Sequence, residues 1–126
     1  MYQNVHSYFS LRYGTLSINR LMELAVRNNI RALALTDINN STGMIDFVKS
    51  CRENGIKPIG GMEFRNGNHM MYSGIARNNE GMRELNEYVS YHNINKKRYP
   101  DRPAHFEHAY VVYPFGNKNL KLLREN

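Results

Sequence analysis

The stretch Ala32-Leu33-Ala34-Leu35-Thr36-Asp37 decides the fold, because a short apolar run ends abruptly in polar residues. Four consecutive apolar residues are typical of a strand covered on both faces, as in a parallel sheet. The same order recurs at 56–63, which reads Ile-Lys-Pro-Ile-Gly-Gly-Met-Glu, and another polar cluster is Asn4-Val5-His6-Ser7. The carboxyl ends of parallel strands lie at one edge of a sheet, so we expect these clusters to meet there.

Amphipathic helices separate the predicted strands. Apolar residues recur at helical spacing from 18 to 26, with Ser17 placed as an N-cap and Asn28-Asn29 at the end. A second helix is predicted to stop at Gly55. Its apolar face is formed by Met44, Ile45, Phe47, Val48 and Cys51.

The second half of the chain predicts a hairpin, a helix and another strand. Asn66-Gly67 is typical of a tight turn between a strand at about 56–64 and a return strand at 70–75. Asn78-Asn79 is placed to begin a helix, 109–113 reads as a strand, and 117–125 as a helix. The expected fold class is α/β, with a mostly parallel sheet, right-handed crossovers and one hairpin.

Composition indicates a globular domain or a piece of one. The chain has 126 residues, of which 41% are apolar and 22% charged. No apolar run approaches the roughly 20 residues that a membrane-spanning helix needs, and no signal-peptide pattern is present. The single cysteine, Cys51, excludes an internal disulfide. We interpret it as a core residue of a cytoplasmic protein with no membrane partner.

The basic residues suggest one candidate nucleic-acid contact. The net charge is +6, and the dense cluster Lys96-Lys97-Arg98 is followed by Arg102 in a polar stretch with two prolines. These side chains are predicted either to neutralise a few phosphates or simply to lie on a solvated loop.

Several motifs, taken in order, carry a resemblance to a known family. They are His6-Ser7-x-x-Ser10-Leu11-x-x-Gly14, the stretch 32–37, Gly55-Ile56-Lys57-Pro58-Ile59-x-Gly61-x-Glu63, and Ile75-Ala76-Arg77-Asn78-Asn79-Glu80-Gly81. Together they resemble the PHP (polymerase and histidinol phosphatase) family, in particular the PHP domains at the N terminus of bacterial DNA polymerase III α subunits. The resemblance covers about 3–90 well and implies a distorted (β/α) barrel, of which this chain would form a part.

The resemblance also implies a cluster of divalent metals such as zinc, manganese or magnesium at the strand ends. Of the implied ligands this chain keeps His6 and Glu63. Other residue types stand at the remaining positions: Asn4 and Ile38 where the family has His, Tyr13 where it has Asp, and Met71 where it has a later His.

The chemistry of these replacements predicts a vestigial centre. Ile38 has no lone pair, and Met71 offers only a soft thioether. A tyrosine such as Tyr13 ordinarily keeps its proton at neutral pH and is a poor anionic ligand. Zinc sites have at least three good protein ligands, and a two-metal clamp needs several anionic oxygens. We therefore expect neither a bound metal nor a catalytic residue here.

The other polar residues receive structural interpretations. His6 and Glu63 are expected to hydrogen-bond to each other or to Asn4, and Asp37 to cap the loop that enters the second helix. His69 is close enough to Met71 in sequence to be considered as a substitute ligand, but two residues along a strand move a side chain by about 6.5 Å. We therefore interpret His69 as a hairpin-edge residue. The remaining histidines, which lie outside the motifs, are predicted to be surface or packing residues: His92, His105 and His108.

The residues leave functions of different classes open. The favoured one, implied by the resemblance, is a non-catalytic N-terminal module of a replicative DNA polymerase. It would pack against the polymerase core domains of the same chain and dock a proofreading exonuclease, with DNA bound by the parent enzyme. The alternatives are a metal-dependent phosphoesterase or 3′–5′ exonuclease with residual activity, and a free-standing DNA-binding domain.

Length predicts a fragment. A barrel of about seven strands, as the family implies, needs more than 126 residues, so we expect residues 1–126 to be the N-terminal segment of a longer chain. An unpaired sheet edge would then be able to pair with a second copy, which predicts a dimer.

Overall fold

The computed structural model describes residues 2–116. Along the chain the elements are α1 (Ile18–Arg27), β1 (Ala32–Leu35), α2 (Met44–Glu53), β2 (Lys57–Asn66), β3 (His69–Ala76), α3 (Asn79–Ile94) and β4 (Ala109–Val112). The helix predicted at 117–125 lies outside the described residues. Within 2–116, no helix is both long enough and apolar enough to cross a membrane.

The four described strands form one sheet in the order β1-β2-β3-β4. Strands β1 and β2 are parallel, and α2 connects them. The expectation of a mostly parallel sheet is wrong, because β2–β3 and β3–β4 are antiparallel. A two-residue hairpin reverses β3, and the segment 95–108 returns to the start of α3, so that β4 begins with Ala109 opposite Ala76. The mixed α/β class is confirmed; the described strands form an open sheet.

Local sequence signals set the helix starts and the hairpin. The Ser17 hydroxyl accepts a hydrogen bond from the Arg20 amide at 3.2 Å, and Asn78 Oδ1 accepts from the Gly81 amide at 3.0 Å. Each cap satisfies an amide that the helix itself leaves without a partner. Gly67 has φ of 62°, a left-handed conformation that glycine adopts without steric cost. The predicted caps are therefore confirmed, and the predicted hairpin is present with Gly67 and Asn68 as its two turn residues.

Two core clusters lie under the helices. The first joins α1, α2 and β1: Ile18, Leu21, Met22, Ala25, Leu33, Leu35, Phe47, Cys51 and Ile56. The second joins α3 to β2, β3 and β4: Met62, Phe64, Tyr72, Leu85, Val89, Tyr99 and Ala109. A side chain at Gly60 would meet both Met44 of α2 and Met82 of α3, so these helices cover the same face of β2. The opposite face carries the residues that follow below.

Two predictions about α2 have different outcomes. Cys51 is fully buried, and burial raises the pKa of its thiol to about 11, which keeps it protonated and inert. Ile45, which was assigned to the apolar face, is 83% exposed, so that assignment is wrong. Position 45 lies about 100° around the helix from position 44, outside the sector that contacts the sheet.

The chain before α1 forms an isolated bridge rather than a strand. Tyr2 pairs with Leu33, and the Thr36 amide donates to the carbonyl of Val5 at 2.9 Å. Residues 2–5 thus run beside β1 without forming a regular strand, and they bring the loop that follows to the carboxyl end of β1.

Candidate functional site

Asp37, just after β1, anchors the N-terminal loop, which contains Ser7 and Ser10, to the sheet. Its carboxylate is buried and accepts hydrogen bonds from the Ser7 amide at 2.7 Å, the Ser7 hydroxyl at 2.6 Å and the Ser10 hydroxyl at 2.6 Å. The Ser10 hydroxyl in turn accepts from the Ile38 amide at 2.9 Å. The expectation that Asp37 caps the loop that enters α2 is wrong, because its carboxylate accepts from Ser7 and Ser10, which precede α1.

Gly14 closes this loop. Its amide donates to the Ser10 carbonyl at 2.8 Å, and a Cβ at this position would overlap the carbonyl oxygen of Ser7. The spacing of Ser7, Ser10 and Gly14 in the sequence motif therefore has a structural reason, since only glycine permits this approach of two backbone segments.

The centre of the candidate site is the fully buried carboxylate of Glu63 on β2. His6 Nε2 lies 2.9 Å from its Oε2, and Arg65 Nε donates to its Oε1. An ionised carboxylate can only accept, so His6 Nε2 is the donor. Burial by itself raises the pKa of Glu63, but the hydrogen bonds and charges of His6 and Arg65 outweigh it and hold the pKa below its ordinary value. Both carboxylate oxygens are therefore engaged by nitrogen donors.

Arg65 is held firmly in this position. The Asn39 amide group accepts from the Arg65 backbone N–H at 2.9 Å and donates to its carbonyl at 3.0 Å. The guanidinium Cζ lies 4.1 Å from the ring centroid of Tyr13, whose hydroxyl donates to Asn68 Oδ1 at 3.2 Å. The guanidinium is thus fixed by its backbone, by an aromatic face and by a carboxylate.

Sequence reasoning missed Arg65. The signal was available, because residues two apart on a strand share a face, and Arg65 follows Glu63 at that spacing. The replacement of an acidic residue by Tyr13 was interpreted only as a lost ligand. In the structure the Tyr13 ring instead supplies a surface for the guanidinium.

The other positions implied by the resemblance lie at different distances from this centre. Asn4 is exposed, and its Oδ1 accepts from the Thr36 hydroxyl at 3.2 Å. Ile38 pairs with Glu63 through its backbone. Met71 packs against the second core cluster beside an irregularity in the β2–β3 register. The structure therefore brings His6 and Ile38 to Glu63, and Tyr13 to its partner Arg65, whereas Asn4 contacts Thr36 and Met71 belongs to the second core cluster.

Within 2–116, no three side chains of His, Cys, Asp or Glu lie where they could hold one metal ion. His69 is exposed on the hairpin, opposite Asn66, as expected. His92 is a packing residue, stacked at 4.7 Å from the ring of Tyr99.

The buried hydroxyl of Ser73, which is paired with Glu63 in the sheet, has no hydrogen-bond partner in the described part of the chain.

The basic residues divide into two groups. Lys96, Lys97 and Arg98 line a cavity of about 400 Å³ together with Arg65, so the basic cluster lies beside the candidate site. Arg102 does not line this cavity. It lies close enough to Tyr113 to moderate the rise that burial produces in the pKa of that phenol.

Comparison with known proteins gives a family and several relatives. The family model described as "PHP domain" matches residues 3–118. DNA polymerase III subunit alpha of Staphylococcus aureus (strain Mu50) is 38% identical over 92 residues, and that of Ureaplasma parvum is 36% identical over 88 residues. The matched segments are 71% and 70% of this chain but 9% of each relative. The same subunit of Chlamydia muridarum is 48% identical over 58 residues, which are 46% of this chain and 5% of that protein.

Solved structures share the fold at low sequence identity. A protein described as a metal-dependent phosphoesterase from Bifidobacterium adolescentis superposes with a TM-score of 0.52 at 16% identity. An amidohydrolase from Chromobacterium violaceum gives 0.50 at 19% identity. Each superposition covers 75% of this chain and 34% of the solved protein. At such identities the likeness concerns the fold alone.

Because the family match extends over residues 3–118 of 126, the chain belongs to the PHP domain family.

Proposed function

We propose that this chain is the PHP module of a bacterial DNA polymerase III α subunit and that its role there is structural rather than hydrolytic. The observation that carries the proposal is the engagement of Glu63 by Arg65 and His6. The guanidinium provides the positive charge that a buried carboxylate needs, so the carboxylate is compensated by groups of the chain itself.

The donor set around Glu63 does not fit a divalent metal cluster. A metal would have to displace Arg65, which is also held by Asn39 and the ring of Tyr13. Among residues 2–116, His6 and Glu63 would then be the two ligands, fewer than the three protein ligands of an ordinary zinc site. We therefore propose that the positions Asn4, His6, Tyr13, Ile38, Glu63 and Met71 are a vestigial metal centre.

The parent chain and partners rest on the relatives. The chain spans 9% of the DNA polymerase III α subunits of Staphylococcus aureus and Ureaplasma parvum, so polymerase activity would belong to parts outside this segment. In this proposal residues 1–126 are an N-terminal segment that packs against the polymerase core domains and docks a proofreading exonuclease. The parent enzyme binds DNA in the cytoplasm, a location compatible with one inert buried thiol.

The alternative function is a metal-dependent phosphoesterase or 3′–5′ exonuclease. It is favoured by the close contact of His6 with Glu63, which are the two implied ligands that the chain keeps. It requires Arg65 to leave the carboxylate when metal binds.

Hydrolysis assays with the purified chain distinguish the two functions. The substrates are p-nitrophenyl phosphate and a 3′-labelled single-stranded oligonucleotide, each with zinc, manganese or magnesium. We expect no turnover above that of buffer with metal, and no difference between the wild type and Glu63→Gln. Turnover that requires metal and disappears in Glu63→Gln would establish the phosphoesterase alternative.

A further inference from the structure

A cationic cavity lies between the β2–β3 hairpin and the loop that follows α3. Its volume is about 400 Å³, and its lining includes Arg65, Lys96, Lys97 and Arg98. The other lining residues are asparagines, a glycine and a tyrosine, so no carboxylate lines it within the described part of the chain. Such a surface favours a ligand with several negative charges.

The basic loop is built into the fold rather than free in solvent. The side chain of Asn66 accepts from the Tyr99 amide at 2.9 Å and donates to the Tyr99 carbonyl at 2.8 Å. The Tyr99 ring is buried, 5.1 Å from the ring of Phe64 and 4.7 Å from that of His92. The Lys97 amide donates to the His92 carbonyl at 2.9 Å. The cationic side chains are therefore attached to a fixed backbone, which lowers the entropic cost of binding a ligand.

The charge available to a ligand comes mainly from the loop. Arg65 is paired with Glu63, so it contributes little net charge. Lys96, Lys97 and Arg98 follow the C-terminus of α3, where about half a negative charge resides. The three side chains exceed that charge, and a net positive field remains over the cavity.

Exposed aromatic rings flank this positive field. Tyr91 is 50% exposed, and Lys97 Nζ lies 4.9 Å from its ring centroid. Tyr13, which stacks against Arg65, is 42% exposed. Cationic side chains that track a phosphate backbone beside rings on which bases stack are the combination used to bind single strands.

We propose that this cavity binds the phosphodiester backbone of single-stranded nucleic acid, with Lys96, Lys97 and Arg98 on the phosphates and Tyr91 against a base. The cavity shares Arg65 with the candidate site, but the proposed phosphate contacts come from the loop after α3 and require neither a metal nor a polymerase parent. It therefore stands or falls independently of the proposed function.

The test measures binding of a fluorescently labelled oligothymidine of about 12 nucleotides to the purified chain by anisotropy. The salt concentration is varied from about 50 to 200 mM, because phosphate contacts give a slope of about −0.7 per contact for single strands. Lys96→Gln/Arg98→Gln is compared with Arg27→Gln/Arg31→Gln, a pair of exposed residues outside the cavity that removes the same charge. Circular dichroism establishes that both variants fold.

Removal of two phosphate contacts should weaken binding about 25-fold at 0.1 M salt and reduce the salt slope by about 1.4. The control pair should change the affinity less than about 2-fold, and a duplex of the same sequence should bind more weakly because its bases are stacked. Equal losses in both pairs, an unchanged affinity in Lys96→Gln/Arg98→Gln, or duplex binding as tight as that of the single strand would overturn the proposal.

Discussion

Arg65 Nε donates a hydrogen bond to Oε1 of Glu63, two residues earlier on the same strand, where both side chains lie on one face of β2. The guanidinium of Arg65 thus supplies a positive charge next to the buried carboxylate. The relationship accounts for a carboxylate that is fully buried and nevertheless keeps its pKa below the ordinary value.

Arg65→Met should destabilise the fold by about 3–5 kcal/mol, because it leaves the carboxylate of Glu63 buried with a single partner. Urea unfolding followed by circular dichroism measures the effect. The double variant Glu63→Gln/Arg65→Met should lose less than the sum of the two single variants, because the neutral amide no longer needs the cation.

Arg83→Met is the matched control for this substitution. Arg83 pairs with Glu80 and Glu87 on the surface of α3, where solvent screens both pairs. The urea unfolding midpoint of Arg83→Met should stay close to that of the wild type. Equal midpoints for Arg65→Met and Arg83→Met would contradict the role assigned to Arg65.

The depressed pKa of Glu63 predicts a loss of stability in acid. The unfolded carboxyl has its ordinary pKa near 4.5, and the folded value lies lower, so the unfolded state binds more protons in this window. The contribution of Glu63 is complete above pH 4.5 and is lost as the pH falls through the folded pKa. The stability difference between wild type and Glu63→Gln, measured with urea at several pH values, should shrink below that point. A difference that stays constant down to acid pH would show that the carboxylate is not stabilised by its partners.

Asp37→Asn tests the attachment of the N-terminal loop. One amide oxygen cannot replace two carboxylate oxygens that accept from Ser7 and Ser10, and hydrogen bonds to a charged group are worth about 1.5–3 kcal/mol. We expect a loss of about 3 kcal/mol in the free energy of unfolding. Asp46→Asn, the same change at an exposed position in the first turn of α2, should cost at most about 1 kcal/mol. A similar loss in both variants would remove the structural role of Asp37.

Strand β4 predicts self-association. It pairs with β3 on one side and has no partner strand on the other within residues 2–116. Tyr110 and Val112 are 60% and 42% exposed on it. Light scattering at rising concentration should detect a dimer, and Val112→Lys should weaken it because a charge blocks edge pairing. Ile94→Lys, at an 80% exposed position of α3, should leave association unchanged. A chain that stays monomeric throughout the concentration range would refute this prediction.

The parts of the fold that follow from neighbouring residues could be predicted from sequence. The cap at Ser17 and the hairpin after Asn66 depend on side chains and backbone within a few positions, and both are present, although the turn lies one residue later than predicted. The unbroken apolar run Ala32–Leu35 predicts the buried strand β1. By contrast, the direction of β4 depends on how the segment 95–108 returns along α3, which local patterns do not encode.

The candidate site was predictable only in part, for the same reason. The contact of His6 with Glu63 was expected from their motif positions and is confirmed at 2.9 Å. The i, i+2 spacing indicated that Arg65 lies beside Glu63, but Asn39 and Tyr13, which hold Arg65 in place, lie 26 and 52 positions away in the sequence and meet it only in the folded chain. Interactions that distant residues create leave no periodic signal, so they became visible only in three dimensions.

The metal content of the purified chain tests the central claim most directly. After exposure to zinc, manganese and magnesium and exhaustive dialysis, mass spectrometry should find only traces of metal, in equal amounts in wild type and Glu63→Gln. One or more equivalents of metal in the wild type, lost in Glu63→Gln, would contradict the account that Arg65 and His6 hold the carboxylate in place of a metal.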